Sequence, residues 1–280
     1  ALPRSTACFE GGVMSGDRIR FASLRSDEVT LTRVGLDLVI QVNGSTDRVT
    51  VKNYYEKVTS FFDWQISPNT RVEDIQFADG VILEDGDIAQ AVGKGTAAGE
   101  TLIGSSREDY LEGGQGNDTL LGGDQGDIYI FDRGDGVDTV LDDMTNPLTA
   151  TGDMVIFGEG VSSTDIDLMR PLGTHDLILN IAGGNDQVTI RDQFAMSPLG
   201  WDSNFSLDNR IEVFVFNGDG LSWSWEDMQR RVLTSLTTSG DDIATGFGTE
   251  DVFESSAGND VLSCGASHSR TRARFRQTSF

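Results

Sequence analysis

Basic charge is scarce in this sequence. Lysine and arginine number 21 against 45 aspartates and glutamates, leaving a formal charge of −24. Phosphate backbones and anionic lipid surfaces are gripped by clustered basic side chains, so nucleic acid and anionic membranes are poor partners. No apolar run approaches the roughly 18 residues of a membrane helix, and no membrane span is expected. The opening ALPRSTACFEGG lacks the apolar core of a cleavable leader; it also lacks Met, as a piece of a longer chain would. Two cysteines, Cys8 and Cys264, cannot build a disulfide framework. Histidine occurs twice, at His175 and His268. There is no H-E-x-x-H, which removes the zinc proteases, and no G-x-S-x-G, the nucleophile turn of common esterases. A Ser-His-Asp triad would depend on His175, which reads as a loop residue. Proline occurs only 5 times against 33 glycines, so the glycine belongs to turns rather than linkers.

What is present is a period of nine. Leu102, Leu111, Leu120 and Tyr129 are nine apart, and two residues before each stands an acid: Glu100, Asp109, Asp118, Asp127. Val140 with Asp138 continues the series after a two-residue insertion. Turn glycines are densest at Gly113, Gly114, Gly116, Gly122 and Gly123, and recur at Gly134 and Gly136. A second array places Asp242 before Ala244, Asp251 before Phe253 and Asp260 before Leu262, again nine apart. Repeats at a short fixed period indicate stacked coils. Glycine and acid make a turn; three residues around one apolar side chain make a short strand. Stacked units then bury an apolar stripe between two parallel sheets. The same stacking sets carboxylate on carboxylate, which is repulsive unless a divalent cation intervenes. Calcium suits flexible all-oxygen sites better than magnesium, which holds a tight octahedron and its waters.

GGQGNDTLL, Gly113 to Leu121, fits G-G-x-G-x-D-x-U-x at every defined position. In this it resembles the RTX (haemolysin-type) calcium-binding nonapeptide repeats. The resemblance implies a parallel β-roll in which alternate turns on one side share a calcium ion. Carried over, the metal residues are Asp109, Gly114, Gly116, Asp118, Gly123, Asp127, Gly134, Gly136 and Asp138, with Asp242, Asp251 and Asp260 in the second array. The turn ending at Asp118 would share ions with those near Glu100 and Asp138, and the turn ending at Asp127 with that ending at Asp109. Gln125 replaces a turn glycine; Ser105, Ser106 and Arg107 fill one turn, and Thr96, Ala97 and Ala98 another. The middle of the array is therefore expected to bind best, and the first turn to bind weakly or act as a cap.

A larger repeat surrounds the array. Setting Asp37 on Asp176 places Asp47 on Asp186 and Thr50 on Thr189; Arg71, Glu73 and Phe77 then meet Arg210, Glu212 and Phe216 without a gap. Upstream, Asp17 and Phe21 pair with Asp153 and Phe157. LDLVIQV, DRVTV, DLILNI and QVTI read as strands, with NGSTD and AGGND as hairpin turns. IEVFVF reads as a strand with Ile211, Val213 and Val215 on one face and Glu212, Phe214 and Phe216 on the other. Arg71 and Glu73 share a face and could pair. SWEDMQRRVLTSL reads as a helix, Ser224 and Asp227 forming a capping box; Trp225, Met228, Val232 and Leu236 line one side. EDGDIAQAV is its shorter counterpart. These segments resemble the haemolysin-type calcium-binding related domain, which flanks RTX arrays in large secreted proteins.

The expected fold is all-β: a parallel β-roll joined to two duplicated β-rich segments, with one or two short helices. Segment A spans 1–92, the roll 93–142, segment B 143–236 and the second array 237–263. The tail, 264–280, carries Arg270, Arg272, Arg274 and Arg276, no acid, and no persuasive type 1 secretion signal; it reads as disordered. The function expected is a calcium-binding structural or accessory region of a secreted bacterial protein, extracellular, folding as it meets calcium. One alternative is a secreted hydrolase of polysaccharide or ester, for which two carboxylates suffice. Glu73 and Glu212 are candidates by type, but their equivalence in the repeat argues for a structural role. The other alternative is a carbohydrate-binding or adhesive module recognising a glycan or cell-surface ligand. Trp64, Trp201, Trp223, Trp225, Tyr54 and Tyr55 would form its stacking platform, with Tyr54 and Tyr55 better placed in a core.

Overall fold

A computed structural model describes residues 17–55, 72–105, 108–142, 152–195, 210–247, 253 and 258–263. Asp251, Trp64, Trp201, Arg71, His268, both cysteines and the basic tail lie outside the described residues.

The nine-residue period becomes five short strands: β7 (Thr101–Ile103), β8 (Tyr110–Glu112), β9 (Thr119–Leu121), β10 (Ile128–Phe131) and β11 (Val137–Leu141). Successive strands go to opposite sheets, and each pairs in parallel with the strand one full coil away. Leu102 stands opposite Leu120, and Leu120 opposite Val140. On the other sheet Leu111 stands opposite Tyr129. Leu111, Leu120, Tyr129 and Val140 are buried, the expected apolar stripe. Three-residue strands bury one side chain each, so this core is thin.

The roll does not close at its last nonapeptide. The segment after it supplies β12 (Asp153–Phe157), β13 (Ile166–Met169), β14 (Leu177–Ile181), β15 (Gln187–Ile190), β16 (Ile211–Phe216) and β17 (Leu221–Ser224). β12 adds in parallel to β10, and β16 to β12. β15 adds in parallel to β11 on the facing sheet. The inward rows run on, Tyr129 to Val155 to Phe214 and Val140 to Ile190. The thin stripe thus widens into an aromatic core, with Phe157 stacked on Phe216 at 5.2 Å and Trp223 against Phe216 at 4.4 Å. The final helix, α2 (Trp225–Ser235), starts at Ser224, whose hydroxyl accepts from the Asp227 amide. It lays Met228 and Val232 on that core.

The preceding segment repeats this plan. β1 (Asp17–Arg20) pairs in parallel with β5 (Val72–Gln76), which turns back into β6 (Ile82–Glu84) and α1 (Asp85–Val92). β2 (Val29–Val34), β3 (Asp37–Val42) and β4 (Arg48–Val51) form an antiparallel meander. The two copies share contacts as well as strands. Ser26 donates to Asp79 and Ser163 to Asp219, each by amide and hydroxyl. Asp37 accepts from the Asn53 amide and pairs with Lys52; Asp176 accepts from the Asp192 amide and pairs with Arg191. Asn53 and Asp192 both sit at positive φ, 54° and 56°. Arg33 stacks on Tyr55 and donates to the Ile103 and Gly104 carbonyls, where the first array begins. Arg170 stacks on Phe194 and donates to the Thr245 carbonyl, where the second array begins. That array is β18 (Ile243–Thr245) and β19 (Val261–Ser263), paired in parallel with Ala244 opposite Leu262.

One sequence expectation needs correcting. Strand β16 does not alternate simply: Ile211, Phe214 and Phe216 are buried, and Val213 and Val215 are not. A bulge at Glu212 shifts the register, since Asp153 faces Ile211 and Met154 faces Val213. The first copy has the same bulge at Glu73. The aromatic platform is also corrected among the described residues. Tyr54, Tyr55 and Trp223 are buried, and Trp225 packs on Phe194 at 5.6 Å.

Removing the Phe157 ring opens a cavity between two sheets. Phe157→Ala is expected to cost about 3–5 kcal/mol, while Leu172→Ala, at a side chain 81% exposed, stays within about 0.5 kcal/mol. Urea unfolding of both variants in saturating calcium measures the difference.

Candidate metal centre

Asp109, Asp118 and Asp127 each lie one residue before a strand and Asp138 is the second residue of β11. From there Asp118, Asp127 and Asp138 reach back to a backbone amide of the preceding coil. Asp118 Oδ1 accepts from the Glu100 amide at 2.6 Å, and Asp138 Oδ1 from the Asp118 amide at 2.9 Å. On the other side Asp127 Oδ1 accepts from the Asp109 amide at 2.9 Å and Asp153 Oδ1 from the Asp127 amide at 2.7 Å. Glu212 Oε2 ends that row on the Asp153 amide at 2.7 Å. The second array repeats the bond between Asp260 and the Asp242 amide, at 3.2 Å. Two carboxylate ladders therefore flank the first roll, one per edge.

These acids are deep: Asp109, Asp118, Asp127, Asp138 and Asp153 are all buried. Among the described residues no lysine or arginine pairs with Asp118, Asp127, Asp138 or Asp153. In the metal-free chain, burial first and the Asp109 charge second push the Asp127 carboxyl up to about 9. Burial likewise pushes Asp138 up to about 7 and Asp135 up to about 6. Asp153 is raised by burial and by the adjoining Asp142, and Glu212 by burial.

The second oxygen of each acid divides the turns into two kinds. In some, the residue four before the acid carries a hydroxyl. Thr96 donates amide and hydroxyl to Glu100, Ser105 donates both to Asp109, and Thr238 donates both to Asp242. In others that residue is Gly114 or Gly123, and the acid's second oxygen, Asp118 Oδ2 or Asp127 Oδ2, is buried with no hydrogen-bond donor. A buried unpaired carboxylate oxygen is costly, and cation binding meets that cost. The donors are all oxygen, as a hard divalent ion requires. The residues present fit calcium.

The turn glycines are where the sequence places them. Gly114, Gly116, Gly123, Gly134 and Gly136 all take positive φ. At Gly123 and Gly136 close approach adds to this: a Cβ would lie 2.3 Å from the Ser105 carbonyl oxygen and 2.0 Å from that of Gly116. Gly134 has open space around it, and its amide donates to Asp186. Gln125 stands in for a turn glycine at φ 74°. Asp260 is half-buried and Asp242 is capped by Thr238 as described.

Sequence reasoning missed three parts of this arrangement. Asp153 and Glu212 extend one ladder past the array, and Asp142 lies beside its end. Asp153 carries the array's own signature, an acid two residues before the buried Val155. It was obscured by its distance, 26 residues from Asp127 where 18 is the coil. For Asp142 no pattern gave a signal.

The fold and these turns define a parallel β-roll with all-oxygen cation sites. A family model of the haemolysin-type calcium binding protein related domain matches residues 37–87 and 176–227. A model of the RTX calcium-binding nonapeptide repeat, four copies, matches 94–129, 103–140 and 235–262. No curated protein matches the chain. The chain is an RTX, or haemolysin-type, calcium-binding repeat protein, with two of the related domains flanking its main nonapeptide array.

Raised carboxyl pKa values fix the sign of a pH effect. A folded-state pKa of about 9 at Asp127, against roughly 4 in the unfolded chain, gives stability that is complete below the lower value. It is lost as pH rises through the higher one. In EDTA the melting temperature is therefore expected to rise as pH falls from 9 to 5. The exposed carboxylates held low by hydrogen bonds, such as Asp79 and Asp219, reverse the trend only nearer their own range. Calcium added at pH 7 should release protons, measurable by titration calorimetry in buffers of different ionisation enthalpy.

Proposed function

We propose that this chain is a structural or accessory region of a secreted bacterial protein, and that it completes its folding outside the cell as calcium enters the glycine-type turns. The observation that carries this reading is the pair of buried donorless oxygens, Asp118 Oδ2 and Asp127 Oδ2. Asp118, Asp127 and Asp138, with the turn backbone at Gly114, Gly116, Gly123, Gly134 and Gly136, would hold the ions. Asp109 and Asp242 would contribute less, because Ser105 and Thr238 already occupy their carboxylates. Asp260 and Asp251 would serve the second array. Bound calcium supplies charge neutralisation and nothing catalytic.

Low cytosolic calcium would leave the ladders repelling one another and the thin core insufficient. Extracellular modules of this type bind at roughly 10⁻⁴–10⁻³ M. Calcium at ~10 mM then adds about 1–3 kcal/mol per site. Several sites together decide the fold of a roll whose strands bury only one or two side chains apiece. The segments 1–92, 93–142, 143–236 and 237–263 would act as two module-and-array pairs, each joined by its arginine. No described helix is long and apolar enough to cross a membrane.

The enzyme reading has no support from the site. Glu212 is engaged with the Asp153 amide and Arg210, which is a structural task. The His175 backbone carbonyl accepts from the Phe194 amide, 19 residues on. The glycan reading keeps only Trp64 and Trp201, outside the described residues.

Circular dichroism in EDTA and then in calcium tests the proposal: strand signal and melting temperature should rise together on calcium addition, and unchanged curves would overturn it. Ser105→Gly gives a sharper check. Freed of its hydroxyl cap, Asp109 should lower the melting temperature in EDTA and widen the calcium-induced increase relative to the unsubstituted chain.

A further inference from the structure

Where the roll passes into the second module, three carboxylates converge that do not belong to one repeat. Asp127 ends the turn of the last nonapeptide before the insertion, Asp142 follows β11 and Asp153 opens β12. One oxygen from each lies within 4.8 Å of the others. Asp142 and Asp153 fall outside the residues matched by the nonapeptide model, which end at 140 on this side. All three are buried, at 1% exposure or less.

A cluster of acids alone would mean little. Here the second oxygens of Asp127 and Asp153 are shut away from water with no donor, while their first oxygens are committed to the Asp109 and Asp127 amides. The Tyr129 hydroxyl, itself fully buried, reaches in and donates to Asp142 Oδ1 at 3.1 Å. Gly122 has to be glycine at this point, because a Cβ would stand 2.1 Å from that hydroxyl and 2.2 Å from Asp127 Oδ2. Asp142 and Asp153 meet carboxyl to carboxyl, which requires either a shared proton or a shared cation. Two ligands of one calcium ion stand at most about 5 Å apart, given bonds of 2.3–2.6 Å, and the cluster is within that span.

We infer that Asp127, Asp142 and Asp153 form a separate calcium site at the junction of roll and module, which ties the second module to the array. It rests on the calcium reading of the roll and shares Asp127 with the turn it ends, but its other two ligands, Asp142 and Asp153, lie outside the nonapeptides. Its ligands come from three places in the chain, and its environment is dry, so its ion should be the last removed by a chelator. Its effect would be to couple module and roll into one cooperative unit, since both sheets run through the junction.

The test counts calcium per full-length chain after equilibrium dialysis, by elemental analysis, for the unsubstituted protein, Asp142→Asn and Asp118→Asn. Asp142→Asn is expected to lose one ion while the remaining calcium titration is unchanged; Asp118→Asn should lose ions and keep the slowly released one. A count for Asp142→Asn equal to that of the unsubstituted chain overturns the proposal in favour of a shared proton. Should Asp142→Asn fail to fold, anomalous difference maps from calcium-grown crystals of the unsubstituted protein decide. A peak contacting Asp127, Asp142 and Asp153 supports the site. Peaks at the Asp118 turn with none here sink this site alone, and no peak anywhere sinks the calcium reading of the turns as well.

Discussion

Everything in the array depends on a carboxylate that reaches one coil along and accepts a backbone amide. That bond sets the rise between coils, because Asp118 can meet the Glu100 amide and Asp127 the Asp109 amide only when strands 18 residues apart lie side by side. It also fixes the problem the array must solve. With one oxygen so used and the side chain buried, the other oxygen faces the turn, and stacked turns bring the negative charges into register. Hydrophobic burial offsets little of this: the strands contribute one or two inward side chains each. The sign of the raised carboxyl pKa values expresses the same conflict, since a buried acid without a counter-charge prefers its proton.

The chain resolves the conflict in two ways. A hydroxyl four residues before the acid, with its own amide, satisfies the carboxylate internally at Thr96, Ser105 and Thr238. A glycine at the same place leaves the oxygen open at Asp118 and Asp127. The first solution holds without metal and suits the start of an array, where there is no preceding coil to share an ion. The second makes order conditional on a cation. One residue type at one position thus separates turns that stand alone from turns that wait, and both arrays begin with the hydroxyl kind.

Much of this was legible in the residues. The nine-residue step fixed which side chains point inward, and Leu111, Leu120, Tyr129 and Val140 are buried accordingly. The glycines at 114, 116, 123, 134 and 136 take positive φ where the motif needs them. The duplicated segments share strand order, bulge and turn contacts. What was not legible was continuity. Sequence spacing breaks after Val140, and nothing local says that β12 and β15 resume the same two sheets, because parallel pairing is decided by sheet edges far apart in the chain. The β16 bulge was hidden for a related reason: alternation is a property of regular pairing, and Glu212 leaves it to reach an amide on β12. Tyr129 read as one more apolar strand residue, and its hydroxyl mattered only once Asp142 was placed beside it.

Continuity explains why a module follows an array at all. An open roll ends in two exposed parallel edges and an unmatched ladder, and parallel edges invite further pairing. In the second module β15 covers one edge and β12 with β16 the other, and the antiparallel β14 and β17 then stop further parallel addition. Glu212 terminates one carboxylate ladder with a longer side chain, which the bulge makes room for, and Arg210 partly neutralises it at 3.3 Å. The arginine of each module then meets the first strand of the next array, Arg33 at Ile103 and Arg170 at Thr245. A module therefore stops one array and starts another. The duplication makes best physical sense as repetition of that unit: the second module ends one carboxylate ladder of the first array at Glu212 and starts the next array through Arg170.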